Sequence, residues 1–216
     1  MRAEAIWVLP ACFALVDWYA VARDDRRTET WAKPLVLSSL IVAAVVLGAT
    51  ETTAGIWLLV ALVFGLLGDI ALLSDSLPRF RAGVGAFLVG HLAYLACFTS
   101  LGLTMMPAWS WAGLVVLAVA LIVTREVVPA THRLAGRALS VPVAVYSVVI
   151  GAMLLCAWFT GVPLVALGAS VFVVSDATLS VDRFVRPIPH ARLILMVTYH
   201  VGQALIVAGV LHSVGG

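Results

Sequence analysis

The stretch Gly65-Leu66-Leu67-Gly68-Asp69-Ile70-Ala71 sets a carboxylate in a run otherwise apolar enough to lie in lipid, and Val173-Val174-Ser175-Asp176-Ala177-Thr178-Leu179 repeats the construction. A charge in hydrocarbon costs kilocalories unless it faces protein or water, so an acid inside a span marks a functional candidate. Two carboxylates close together in a low dielectric do not both ionise readily, and such a pair offers one acid and one base at neutral pH. That machinery suits a reaction that protonates a substrate at one point and activates water at another, above all one passing through an oxocarbenium-like species.

The elements that must position these acids follow from composition. Of 216 residues, 63% are hydrophobic and 11% charged, and the mean hydropathy is +1.12. A soluble domain carries about a quarter charged residues. The expectation is therefore an all-α polytopic membrane helix bundle, one transmembrane domain over residues 1–216, in which every span satisfies its own backbone hydrogen bonds. Eight transmembrane helices are expected at 5–22, 33–49, 54–74, 83–101, 107–125, 139–159, 162–180 and 190–212. The first reads as a retained span rather than a cleaved leader, since no small-residue cleavage site follows it. Cys12, Cys97 and Cys156 lie in apolar runs without metal-ligand spacing and read as core filler.

Orientation comes from the basic residues. Twelve of the thirteen Lys and Arg residues fall on the first, third, fifth and seventh connections, leaving only Arg2 on the other side. The positive-inside rule then turns those connections to the cytoplasm of a multi-pass cell-membrane protein with both termini outside. Trp7, Trp57, Trp109, Trp111 and Trp158 are expected near the outer helix ends, as an interfacial belt.

An internal duplication is also expected. Asp69, Asp75 and Arg79 recur with identical spacing as Asp176, Asp182 and Arg186, and the offsets Pro34 to Pro142 and His91 to His200 differ by one and two residues from that of the aspartates. Two parallel four-helix repeats, 1–105 and 106–216, would face Asp69 and Asp176 towards each other.

In depth, Asp69, Asp176 and Asp17 lie roughly 6 to 8 Å inside the cytoplasmic helix ends, with His91, Tyr146 and His200 roughly 10 to 15 Å deep. These groups describe a cavity open to the cytoplasmic leaflet, rimmed by Lys33, Arg79, Arg81, Arg183 and Arg186. Such a cavity suits a lipid whose phosphate stays at the interface while its chain runs among the helices. Taken singly, His91, Tyr146, Tyr199 and Gln203 also fit interhelical hydrogen bonds.

The ordered set Lys33-Pro34-Leu35, Gly68-Asp69, Gly90-His91-x-x-Tyr94, Tyr146, Ser175-Asp176-x-x-Leu179 with Asp182-Arg183-Phe184, and Tyr199-His200-x-x-Gln203 resembles the lysoplasmalogenase, or YhhN-like, family of membrane hydrolases. The resemblance implies cleavage of the vinyl ether of a lysoplasmalogen to a fatty aldehyde and a glycerophospho-alcohol, without a cofactor. It implies Asp69 and Asp176 as catalytic residues, and a lysophospholipid substrate, with no nucleic-acid partner. Lys33, His91, Tyr94, Tyr146, Arg183, Tyr199, His200 and Gln203 are the candidate substrate-binding residues. Two other readings stand beside it. One is a proton-coupled carrier of a lipid or small molecule. The other is a metal-dependent lipid hydrolase with Asp69, Asp176, His91 and His200 as ligands.

Overall fold

The computed structural model describes residues 3–74, 76–104 and 110–215, all of the regular structure being helical. Eight helices long and apolar enough to cross a membrane follow one another among the described residues. They are α1 (Val8–Ala22), α2 (Arg26–Val46), α3 (Thr53–Ala71), α4 (Leu77–Ser100), α5 (Ser110–Ala135), α6 (Arg137–Phe159), α7 (Pro163–Phe184) and α8 (Ala191–Val214). Asp75, Trp109 and Arg2 lie outside the described residues.

The observed boundaries differ from the expected ones where cap chemistry overrides hydropathy. Asp25 caps α2: its carboxylate accepts from Thr28 N at 3.2 Å and from the Thr28 hydroxyl at 2.6 Å. These bonds hold the Asp25 carboxyl below its usual range and satisfy amides that an uncapped helix leaves orphaned. The charged segment Arg26–Lys33 is thereby helical, so Lys33 sits roughly 10 Å inside the helix rather than at its mouth. Likewise α5 runs on to Ala135, about ten residues beyond the apolar run.

The tightest pairs are α3 with α4 and α7 with α8, with α1 lying on α2 and α5 on α6. Glycines make that closeness possible. A Cβ on Gly168 would stand 2.8 Å from Ile206 N and 2.9 Å from Gly202 O, so α7 and α8 meet backbone to backbone. On the other pair, a Cβ on Gly68 would lie 2.6 Å from the Phe87 ring. Each of these pairs carries one of the two acids on its first helix. Helix α5 is the most peripheral, with 11% of its span buried.

The aromatic belt is partial. Trp57 and Trp111 are exposed, but Trp158 is buried. Its indole N–H donates to Ser170 Oγ at 3.0 Å, and its ring fills the space over Gly113, so it serves the core rather than the interface.

Candidate active site

Asp69, near the end of α3, is 1% exposed. Lys33 reaches it from α2, with Nζ 3.4 Å from Oδ1, and the Tyr199 hydroxyl of α8 donates to Oδ2 at 3.0 Å. The expectation that Lys33 rims the cavity is corrected by this geometry. With α2 starting at Arg26, its ammonium is buried and lies against a carboxylate. A buried charge is tolerated when it is paired and hydrogen-bonded, and each member of this pair supplies the other's requirement.

Asp176, just past the middle of α7, has different neighbours. The Tyr146 hydroxyl of α6 donates to Oδ2 at 2.5 Å, and His91 Nε2 of α4 stands 3.8 Å from the same oxygen. His91 Nδ1 is 2.5 Å from the Phe87 carbonyl, which only accepts, so Nδ1 carries a proton, and in the neutral ring Nε2 presents its lone pair towards Asp176. His91 Nε2 has no hydrogen-bond partner among the described residues.

Both carboxylates line one chamber whose other walls are mostly apolar, including Leu72, Val84, Phe87, Val143 and Met196. Edge-to-face ring contacts run behind them: Tyr146 on His91, His91 on Phe172, Phe172 on Tyr199 and Tyr199 on Phe87, with centroids 5.0 to 5.9 Å apart. The partners of one acid are thus packed rigidly against the partners of the other. The two acids share a chamber and keep unlike company, an ammonium and a phenol for Asp69, a phenol and an imidazole for Asp176.

A wider vestibule adjoins the chamber and shares Lys33, Leu72, Phe80, Leu179, Leu195 and Met196 with it. Arg26, Arg183 and Arg192 stand on its wall. The Arg183 guanidinium lies 3.8 Å over the Phe80 ring, and Arg192 bonds Asp24 at 2.6 Å and Glu29 at 2.5 Å. The expected rim is corrected here too: Arg79, Arg81 and Arg186 do not line the chamber or the vestibule, whereas Arg26 and Arg192, which sequence reasoning passed over, do.

The profile of the YhhN family matches residues 28–210, from the first turn of α2 to the last turns of α8. The chain belongs to the YhhN family. A lysoplasmalogenase TMEM86B of Mus musculus is 32% identical over 184 residues, 85% of this chain and 74% of that protein. The lysoplasmalogenase TMEM86B of Sus scrofa is 30% identical over 210 residues, 96% of this chain and 87% of that protein. A lysoplasmalogenase of Mycobacterium bovis is 30% identical over 161 residues, 71% of this chain and 59% of that protein. No solved structure matches the chain.

The YhhN match contains every residue that lines the chamber, and leaves α1 before it. The remaining candidates sit apart from the chamber walls. Tyr94 donates to Gln203 Oε1, and the Gln203 amide bonds the Tyr199 hydroxyl in turn, so this pair stands behind Tyr199 and steadies it. His200 turns to α1 instead, where Trp18 Nε1 donates to its Nδ1 at 3.1 Å and Asp17 Oδ2 lies 3.9 Å away. The four-ligand metal set is therefore not assembled, because His200 is on the far face of α8. Among the described residues no three His, Cys, Asp or Glu side chains converge as a metal site. Phe87 and Phe172 are the site residues that sequence reasoning missed. Phe172 is one turn before Asp176 on the same face of α7, a spacing that was available as a signal.

Proposed function

We propose that this chain is a lysoplasmalogenase, hydrolysing the vinyl ether of a lysoplasmalogen to a fatty aldehyde and a glycerophospho-alcohol. The observation that carries the proposal is the pair of unlike carboxylates in one apolar chamber with arginines at its mouth. The names of the relatives point the same way. By the distribution of basic residues, the mouth opens towards the cytoplasmic leaflet.

The neighbours of the two acids support an assignment of roles. Asp69, against the Lys33 ammonium, is the carboxylate, and Asp176, with only a phenol and a neutral imidazole, carries the proton. Asp176 delivers that proton to the second carbon of the vinyl ether, and the first carbon becomes an oxocarbenium ion. Asp69 takes a proton from water as its oxygen bonds to that carbon. The hemiacetal then returns its hydroxyl proton to Asp176, while protonated Asp69 gives its own to the departing glycerol oxygen. The carbon–oxygen bond breaks, aldehyde and alcohol leave, and both acids regain their starting states. Apolar walls keep bulk water from competing with the single attacking water. Arg183 holds the phosphate at the mouth, beside the Arg192 that Asp24 and Glu29 already pair, and the hydrocarbon runs inward.

The test is aldehyde release from a lysoplasmalogen by purified protein in detergent, beside folded Asp69→Asn and Asp176→Asn variants. Release by the wild type and loss of about 10²-fold or more in each variant is expected for acid and base groups. No release by folded wild type, or release unchanged in both variants, overturns the reading.

A further inference from the structure

Beyond Asp176 the chamber continues into a narrow side pocket between α5, α6 and α7. Its walls include Ala120, Val123 and Thr124 of α5, Ile150 of α6, and Val173 and Ala177 of α7. It shares Tyr146, Ser147, Asp176 and Ser180 with the chamber, and none of its lining residues with the vestibule. The three spaces are therefore in series: arginine-bearing vestibule, two-acid chamber, side pocket. Two hydroxyls in the last of them are turned to their own helices, Thr124 Oγ1 to Ala120 O at 2.9 Å and Ser147 Oγ to Val143 O at 2.9 Å. What the pocket offers a ligand there is chiefly hydrocarbon.

We propose that this pocket is the subsite for the hydrocarbon tail of the substrate, with α5 as its wall on the lipid side. The inference rests on the lysoplasmalogenase reading and names where that substrate's chain goes. A lysolipid carries phosphate, ether and alkyl chain in the same order as vestibule, chamber and pocket. With the phosphate on the arginines and the ether carbon at Asp176, the chain has to leave the chamber on the side away from the vestibule, and the pocket adjoins Asp176 there. Helix α5 suits the role because it is the least buried of the eight and contributes nothing to the acids' own contacts. Small side chains at Ala120 and Ala177 keep the space open.

The experiment has two arms. In the first, wild-type protein in detergent is photolabelled with a saturated 1-O-alkyl lysophospholipid carrying a diazirine at the chain end, a probe that has no vinyl ether to cleave. Labelling within 120–127 and 173–177 is expected; labelling confined to the α3 and α4 walls of the chamber, or spread without preference, overturns the subsite. In the second, Ala120→Trp is assayed with lysoplasmalogens of long and short alkenyl chain. Each methylene kept from the pocket forfeits about fourfold in binding. Exclusion of two or more should therefore lower kcat/KM for the long chain by about tenfold relative to the short one. Equal effects on both chains count against the subsite. Wild type that labels in the pocket yet releases no aldehyde would retain the tail subsite and sink the proposed reaction, so the two failures are distinct.

Discussion

Lys33 Nζ stands 3.4 Å from Asp69 Oδ1, with both side chains nearly sealed from solvent. An ion pair so buried is costly to break from one side and cheap to remove whole. Lys33→Met should therefore destabilise the protein by about 3–5 kcal/mol or drive Asp69 to its neutral form, with activity lost either way. Lys33→Met combined with Asp69→Asn should recover most of the thermal stability and none of the turnover. Melting curves and aldehyde release on the two singles and the double give the coupling; additive stability losses would mean that the pair is not the relevant contact.

Tyr146 is predicted to act through Asp176. Tyr146→Phe removes the hydroxyl that donates to Oδ2 and leaves the ring contact with His91 in place. The bond strengthens as Asp176 gives up its proton, and a hydrogen bond to a charged group is worth about 1.5–3 kcal/mol, so a fall in kcat of about ten- to a hundredfold is expected with little change in melting temperature. An unchanged kcat would show that the bond is structural only.

The path of the attacking oxygen can be read directly. Hydrolysis run briefly in water enriched in heavy oxygen should leave the glycerophospho-alcohol unlabelled, because attack at the vinyl carbon keeps the glycerol oxygen where it was. Mass spectrometry of the alcohol product decides this. Label in that alcohol would mean attack on the glycerol side, and the roles assigned to Asp69 and Asp176 would fail.

Glycine positions offer a paired test of the packing. Gly168→Ala brings a Cβ to 2.8 Å from Ile206 N and 2.9 Å from Gly202 O, neither of which can swing aside. Prising α7 from α8 should cost about 1–3 kcal/mol. Gly85→Ala meets nothing within 4 Å and is helical, so it should be neutral or stabilising by about 0.5–1 kcal/mol. Thermal unfolding of the two variants in one detergent checks both signs.

The eight spans were legible because lipid demands long apolar runs, and the two acids because each is the one charged residue of its own run, 54–74 or 162–180. The Lys33 contact was not, since hydropathy places the span's start at Lys33 whereas the cap at Asp25 carries the helix back to Arg26. Nor was the direction of His200. In a helix apolar on every side, periodicity does not say which face meets the core, and the Trp18 contact that turns His200 to α1 is a tertiary fact. Phe87 reads in sequence like any lipid-facing aromatic. The arginines at the mouth were chosen among loop residues that sequence treats alike, and packing selected Arg26 and Arg192 over Arg79 and Arg186.

Beside Pro34 stands Lys33, and beside Pro142, at the same register, stands Val141. Under the duplication proposed from the sequence, the cation that meets Asp69 thus has no counterpart for Asp176. Two separate four-helix halves meeting as identical partners would present two identical acids and would need chance protonation to tell them apart. Fusion into one chain lets a single substitution give each acid a permanent and different office.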